Sequence, residues 1–261
     1  MPHSQTQQPH PAVLPPFQTL LDNTNWGSLA TACGTGGSLP AALALLTNAD
    51  PLIRESALQD ALGPVTHQNS IYEATVPVAL YVAAILSHPA VMPSGYSHDA
   101  KTGSNRPTLV RLLEWLGDTA YDANDDCAAV DGRLHGEGAP GEHEAMRAFR
   151  DARPAIFSAV RALLCHDSAG VRHTALVAAI PLAEHPLLAQ HQAALAGHAR
   201  RLLASSTDRY HRDRVLEALK AWGHDTSSSE NASDVAAREH YARLRAARAS
   251  WNGGYSEDPP F

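Results

Sequence analysis

The chain has 261 residues, 44% of them apolar, with 20 Lys and Arg against 27 Asp and Glu. That length and apolar share can bury a core and exclude disorder of the whole chain, and a formal net charge of −7 argues against a polyanionic partner. The longest apolar run, Val76 to Leu86, contains Pro77 and is too short to span a bilayer.

In chain order, residues 1–16 read as a Pro/Gln-rich tail without the basic cluster and apolar segment of a secretory signal. A cytoplasmic chain with reduced Cys33, Cys127 and Cys165 is therefore expected. Helical periodicity starts near Phe17, and short helices follow over 24–33 and 38–47, split by Gly34-Thr35-Gly36-Gly37. Asp50 to Leu62 is a helix stopped by Gly63-Pro64. Ser70-x-x-Glu73 is a capping box that opens a helix over 71–87, apolar nearly all round and hence central, with Pro77 in its first turns or at a slight bend. A polar loop, 88–106, leads to a helix over 107–121 that turns Leu109, Leu112, Leu113 and Leu116 inward and Arg111, Glu114, Asp118 and Asp122 outward. A loop rich in Asp and Gly covers 122–141, and helices follow over 142–165, 168–183, 187–204 and 208–222. Residues 224–233 read as a Ser-rich linker, 234–251 as a last helix and 252–261 as a tail. No stretch alternates over a strand length, so the fold class is all-α.

Three of these helices share one plan. Asp50, Arg54, Ala57 and Leu58 correspond to Asp167, Arg172, Ala175 and Leu176, and to Asp208, Arg212, Val215 and Leu216. Asp suits an N-cap, where its carboxylate accepts first-turn N–H groups at the positive end of the dipole. The apolar positions make one helical stripe, which a lone helix cannot bury, so copies must stack. Arg172 and Arg212 are 40 residues apart, and Arg54 and Arg172 are 118 apart, close to three such periods. In an array each Arg is expected to reach the Asp of the next layer, forming a ladder of partly buried pairs.

The Asp-x-x-x-Arg-x-x-Ala-Leu pattern resembles the second helix of HEAT repeats over about residues 26–222, although 107–121 lacks the Asp–Arg signature. The resemblance implies a right-handed α-solenoid of about ten helices over 17–223. Trp26, the Asp50–Leu62 helix and the run His67-Gln68-Asn69-Ser70-Ile71-Tyr72-Glu73-Ala74-Thr75 are also similar to small bacterial HEAT-repeat proteins, some of them immunity proteins of toxin systems. That likeness implies a chain that holds a protein partner.

Four groups could carry chemistry. His67, Gln68, Tyr72 and Glu73 put a base, an amide, a phenol and a carboxylate at one loop-to-helix junction. The structural reading of that run is a corner in which Ser70 and Glu73 cap a helix; the catalytic reading, as in HEAT-like lyases or isomerases, makes His67, Tyr72 and Glu73 acid–base groups acting on a small molecule, with Trp115 and Asp118 lining the same groove. Asp122-x-Asn124-x-Asp126 opens like a calcium loop, but Cys127 and Arg133 stand where the turn Gly and the bidentate Glu belong, so an EF-hand is rejected. The 15 histidines, among them His173, show no ligand spacing, and neither metal nor cofactor is expected. Arg200, Arg201, Arg209, Arg212 and Arg214 resemble the phosphate grip of HEAT-like DNA glycosylases, but Asp208, Asp213 and Glu217 at helical spacings neutralise much of that face.

The charge is divided unevenly. Residues 1–141 hold 5 Lys and Arg against 13 Asp and Glu, whereas 142–261 hold 15 against 14. An acidic groove on an extended fold favours a basic protein partner, with Gln68, Arg111, Glu114, Trp115, Asp118, Tyr121, Asp122, Arg172, His173 and Arg212 as candidate binding residues, no membrane, and nucleic acid disfavoured.

Overall fold

The computed structural model describes residues 14–92, 106–125, 127 and 140–250. Most of the expected 1–16 tail, all of the 252–261 tail and most of the expected 88–106 and 122–141 loops lie outside the described residues. The described residues form ten α-helices: α1 (Phe17–Asn23), α2 (Leu39–Leu45), α3 (Pro51–Leu62), α4 (Thr75–Ile85), α5 (Thr108–Asp122), α6 (Pro140–Ala162), α7 (Ala169–Leu182), α8 (Gln192–Ser205), α9 (Arg209–Ala221) and α10 (Ala232–Ser250). The chain is mostly helical, as its periodicity predicts.

Three local expectations need correction. The helix expected over 24–33 is a single 3-10 turn, Trp26–Ser28, followed by a hairpin of β1 (Ala30–Thr31) and β2 (Gly34–Thr35). Gly34, at φ 127°, supplies the turn that a helix would not allow. The helix expected from 71 begins at Thr75 instead, with Pro77 in its first turn, where a missing N–H costs nothing. Residues Pro186–His191 form a 3-10 segment rather than α-helix; the His185 Nδ1 caps it by accepting the Leu187 N–H at 3.2 Å.

The chain divides into two compact units, 1–198 and 199–261. In the first, α2 packs on α3, α4 on α5 and α6 on α7, which are chain neighbours. Two rows run across these pairs: α1 packs on α4 and α4 on α6, while α3 packs on α5 and α5 on α7. Among the described residues, α5 alone stands between the helices of Arg54 and Arg172 in their row, two steps over a separation of 118 residues that the sequence spacing reads as close to three periods.

Side chains explain both rows. Tyr81 on α4 is fully buried, donates its hydroxyl to the Leu43 carbonyl at 2.9 Å and takes the edge of Phe17 at 5.9 Å. Burial pushes its phenol up to about 12. In the other row, a Cβ on Gly117 would lie 3.0 Å from the Ala178 Cα, so the close approach of α5 to α7 requires glycine there. Leu109, Leu112, Leu113 and Leu116 are buried beside it, at roughly 1.5–3 kcal/mol per side chain.

In the second unit α9 packs on α10. Residues 224–233, expected as a linker, are bound into this unit: the Ser229 carbonyl accepts from Arg212 and the Thr226 hydroxyl donates to Glu230. Asn231 and Asp234 form a reciprocal capping box at the start of α10, each backbone N–H bonded to the other's side chain at 2.8 and 2.9 Å.

Candidate functional site

The three arginines of the repeat occupy one structural position. Each lies four residues after its N-cap, with its backbone N–H on the N-cap carbonyl: Arg54 on Asp50, Arg172 on Ser168 and Arg212 on Asp208. Asp167 is thus one residue too early to cap; Asp50 and Asp208 do cap, accepting from Leu52 and His211 at 2.9 Å. Each guanidinium turns back to the carbonyl six residues before it: Arg54 to Asn48 at 2.5 Å, Arg172 to His166 at 2.6 Å and Arg212 to Ser206 at 3.0 Å. These carbonyls belong to the segment leading into the helix, where no helical N–H reaches them. Arg54 and Arg172 take a second one, of Ala49 and Asp167. The expected ladder to the Asp of the next repeat is not formed by either.

Arg212 goes further. Buried at 3% exposure, it donates to the carbonyls of Leu203, Ser206 and Ser229 and grips both oxygens of Asp234, itself 3% exposed. The hydrogen bond from Arg212 holds the Asp234 carboxyl below the usual aspartate range, and the same bond raises the guanidinium. Beside this hub, α9 and α10 enclose a groove of roughly 230 Å³ lined among others by Arg209, Leu216, Glu230, Arg238, Tyr241 and Arg245. Glu230 accepts from Lys220 at 2.8 Å and from Arg238, and Arg209 pairs with Asp213 at 2.6 Å, so most of the groove's charge is paired.

The His67–Thr75 run forms a corner. Gln68 and Asn69 both have positive φ, 53° and 61°, and the Ser70 N–H closes the turn on the His67 carbonyl at 3.1 Å. The buried Thr75 hydroxyl donates to the Val65 carbonyl at 2.7 Å and accepts the Tyr72 N–H at 2.9 Å. Glu73 does not cap α4; its carboxylate accepts the Ala30 N–H at 2.9 Å and fastens the hairpin. The Tyr72 hydroxyl points to the His67 carbonyl at 3.5 Å. Among the described residues no hydrogen bond links the His67 ring, the Tyr72 hydroxyl and the Glu73 carboxylate. His67, Gln68 and Glu73 are exposed.

The structure brings α5 against this corner by three polar contacts along α3. Arg54 Nε donates to the Thr108 hydroxyl at 3.4 Å, Arg111 pairs with Glu55, and Trp115 Nε1 donates to the Thr66 hydroxyl at 3.2 Å. Both chains advance in the same direction through these contacts, so α3 and α5 run parallel. Glu114 pairs with Arg106 at 2.5 Å, and burial raises its carboxyl above the usual range. Asp118 lies on the same side of α5 as Arg111, Glu114 and Trp115, Tyr121 and Asp122 lie on its last turn, and His173 lies on the second turn of α7.

Two features lie beyond the sequence-predicted residues. Arg153 on α6 is 1% exposed and donates to the Ala123 carbonyl at 2.5 Å, with Glu184 at 3.5 Å and Asp125 at 3.8 Å. Its Nε has no partner among the described residues. The signal was its place on the apolar stripe of Phe149, Ile156 and Val160, where a charge is out of pattern. The second feature is an outward apolar face: Leu52 is 78% exposed, Ile53 39% and Leu45 43%, on α3 and the end of α2. Asp60, exposed and seven residues after Ile53 on the same helical face, has no ion-pair partner among the described residues.

No family model, no curated protein and no solved structure matches this chain. Among the described residues no three His, Cys, Asp or Glu side chains converge as metal ligands, and no helix is long and apolar enough to cross a membrane.

Proposed function

We propose that the chain is a protein-binding α-solenoid of the HEAT type, and that the α2–α3 face of its acidic half holds a basic protein partner. The solenoid reading is supported by the like-on-like rows of the first unit and by three arginines in equivalent capping positions. The observation that carries the binding reading is the exposure of Leu52 and Ile53 on α3 and of Leu45 on the packed neighbour α2, large apolar side chains left outward on a half that carries 13 acidic against 5 basic residues. An apolar centre with a charged rim is the usual anatomy of a binding face, and the rim charge selects the sign of the partner and speeds encounter. Asp60 and Glu55, the latter 46% exposed despite its pairing with Arg111, supply that rim. A basic toxin domain is the partner class that the immunity-type resemblance favours.

The test is capture of partners from the source cell by the intact chain and by Leu52→Asp, at low and high salt. Leu52 makes no buried contact that the substitution would break, so folding is expected to survive. A protein held at low salt by the parent chain and lost with Leu52→Asp supports the reading. Capture that ignores both the substitution and the salt, or no capture at all, overturns it.

A further inference from the structure

The second unit presents a surface opposite in character to the α3 face. From Arg238 to Ala247 every residue of α10 is exposed, including Tyr241 at 53% and Leu244 at 52%. These two are three residues apart and share one side of the helix with Ala237 and Arg245. The stretch is basic: it holds Arg238, Arg243 and Arg245 against one acid of its own, Glu239, which lies 3.9 Å from Arg243, while Arg238 pairs with Glu230 before the helix. Arg245 has no ion-pair partner among the described residues. One side of this stretch borders the groove shared with α9, and Leu244 is not among the residues that line it; a helix so exposed gains little from its own hydrogen bonds in water, and most helical stability comes from packing an apolar stripe. The other half of the chain offers the complement: an outward apolar face on α3, with an unpaired acid, Asp60, in register with Ile53.

We infer that α10 of one copy docks on the α2–α3 face of a second copy, so that the chain associates head to tail. The inference rests on the proposed reading of the α3 face as a site for a basic surface and gives that face a second occupant, another copy of the chain. Arg238–Ala247 is about 15 Å long at 1.5 Å per residue, and α3 about 18 Å, so the two surfaces match in length. Tyr241 and Leu244 cover Leu52 and Ile53, while Arg245 meets Asp60. The contact uses two different surfaces, so each bound copy still offers one of each, and association continues rather than stopping at a symmetric pair. One docked helix buries less than a standard interface, so association is weak, concentration-dependent and reduced by salt.

The experiment is sedimentation of the intact chain over a concentration series, with Leu52→Asp, with Leu244→Asp, and with an equimolar mixture of the two variants. The parent chain is expected to grow in mass with concentration and to shrink in high salt. Each variant alone has lost one surface and should sediment as a monomer. The mixture retains one good surface on each partner and should form a pair that grows no further. A parent chain that stays monomeric throughout overturns the inference, as does a mixture that stays monomeric, or a parent assembly that either variant leaves intact. If the parent is monomeric while Leu52→Asp still abolishes capture of another protein, the α3 face stands as a binding site and only the self-association fails. Circular dichroism of both variants establishes that they keep the parent's helix content, and a variant that unfolds is replaced by Ile53→Asp or Tyr241→Asp.

Discussion

Arg153 in the first unit and Arg212 in the second are both arginines buried in helices, and their surroundings are opposite. Arg212 grips a carboxylate with Nε and Nη2 and donates to three carbonyls from Nη1 and Nη2, and its charge is favoured. Arg153 has one carbonyl close by, two carboxylates at 3.5 Å or more and an orphan Nε, so burial outweighs attraction and lowers its affinity for the proton. Burial raises Glu184 in turn. A buried charge is stabilising only when the donors and acceptors around it are complete; otherwise desolvation dominates.

The largest effect expected from this contrast is at Arg212. Arg212→Ala strands Asp234 and three carbonyls in the interior and should cost about 3–5 kcal/mol, read as accelerated amide exchange across α9 and α10 in the intact chain. Exchange there at the parent rate would mean that the hub holds nothing together. The pH dependence of the two sites should also differ in sign. Asp234 is held below its ordinary range, so its contribution is present above that range and lost as pH falls through the folded value. Exchange in α9 and α10 should therefore quicken on acidification. Glu184 is raised, so its contribution is present at low pH and lost as pH rises through the folded value. Glu184→Gln should gain on the parent chain in melting temperature between acid and neutral pH, and a constant difference would refute that sign.

A smaller effect is expected at Arg153. Arg153→Met, similar in volume and without a charge, should leave stability within about 1 kcal/mol of the parent or raise it, because an incompletely satisfied ion is exchanged for packing. A loss comparable to that of Arg212→Ala, measured by denaturant unfolding, would erase the distinction between the two sites. The smallest effect serves as a reference without buried charge: Gln68→Gly relieves a left-handed conformation that Gln adopts at a cost and should stabilise the first unit by about 1 kcal/mol. A destabilised Gln68→Gly would show that the side chain has a role which its exposed position does not reveal.

The three repeat helices were legible from Asp50, Arg54 and Leu58 and their counterparts because capping and apolar spacing act within a few residues of one another. The task of the arginines was not legible. Each turns to a carbonyl six residues back, and that carbonyl is left without a helical partner only once the chain bends into the next helix. At the candidate corner, the polar groups of His67, Tyr72 and Glu73 were visible, but not that Glu73 would reach across 43 residues to the Ala30 N–H. The Asn231–Asp234 box was legible in principle, since both partners lie within one helical turn.

By itself, then, the amino-acid order determined the all-α class, the helix starts at Asp50 and Asp208, the central burial of α4 and the acidic bias of the first 141 residues. Each follows from spacing or composition, which need no knowledge of distant contacts. The tertiary structure alone decided that α3, α5 and α7 form one row, that Gly117 lets α5 approach Ala178, that Arg212 is completed by Asp234 while Arg153 is not, and that Leu52 and Tyr241 face outward. Those outcomes depend on which surfaces meet, and meeting is set by shape and by the satisfaction of every buried polar group together.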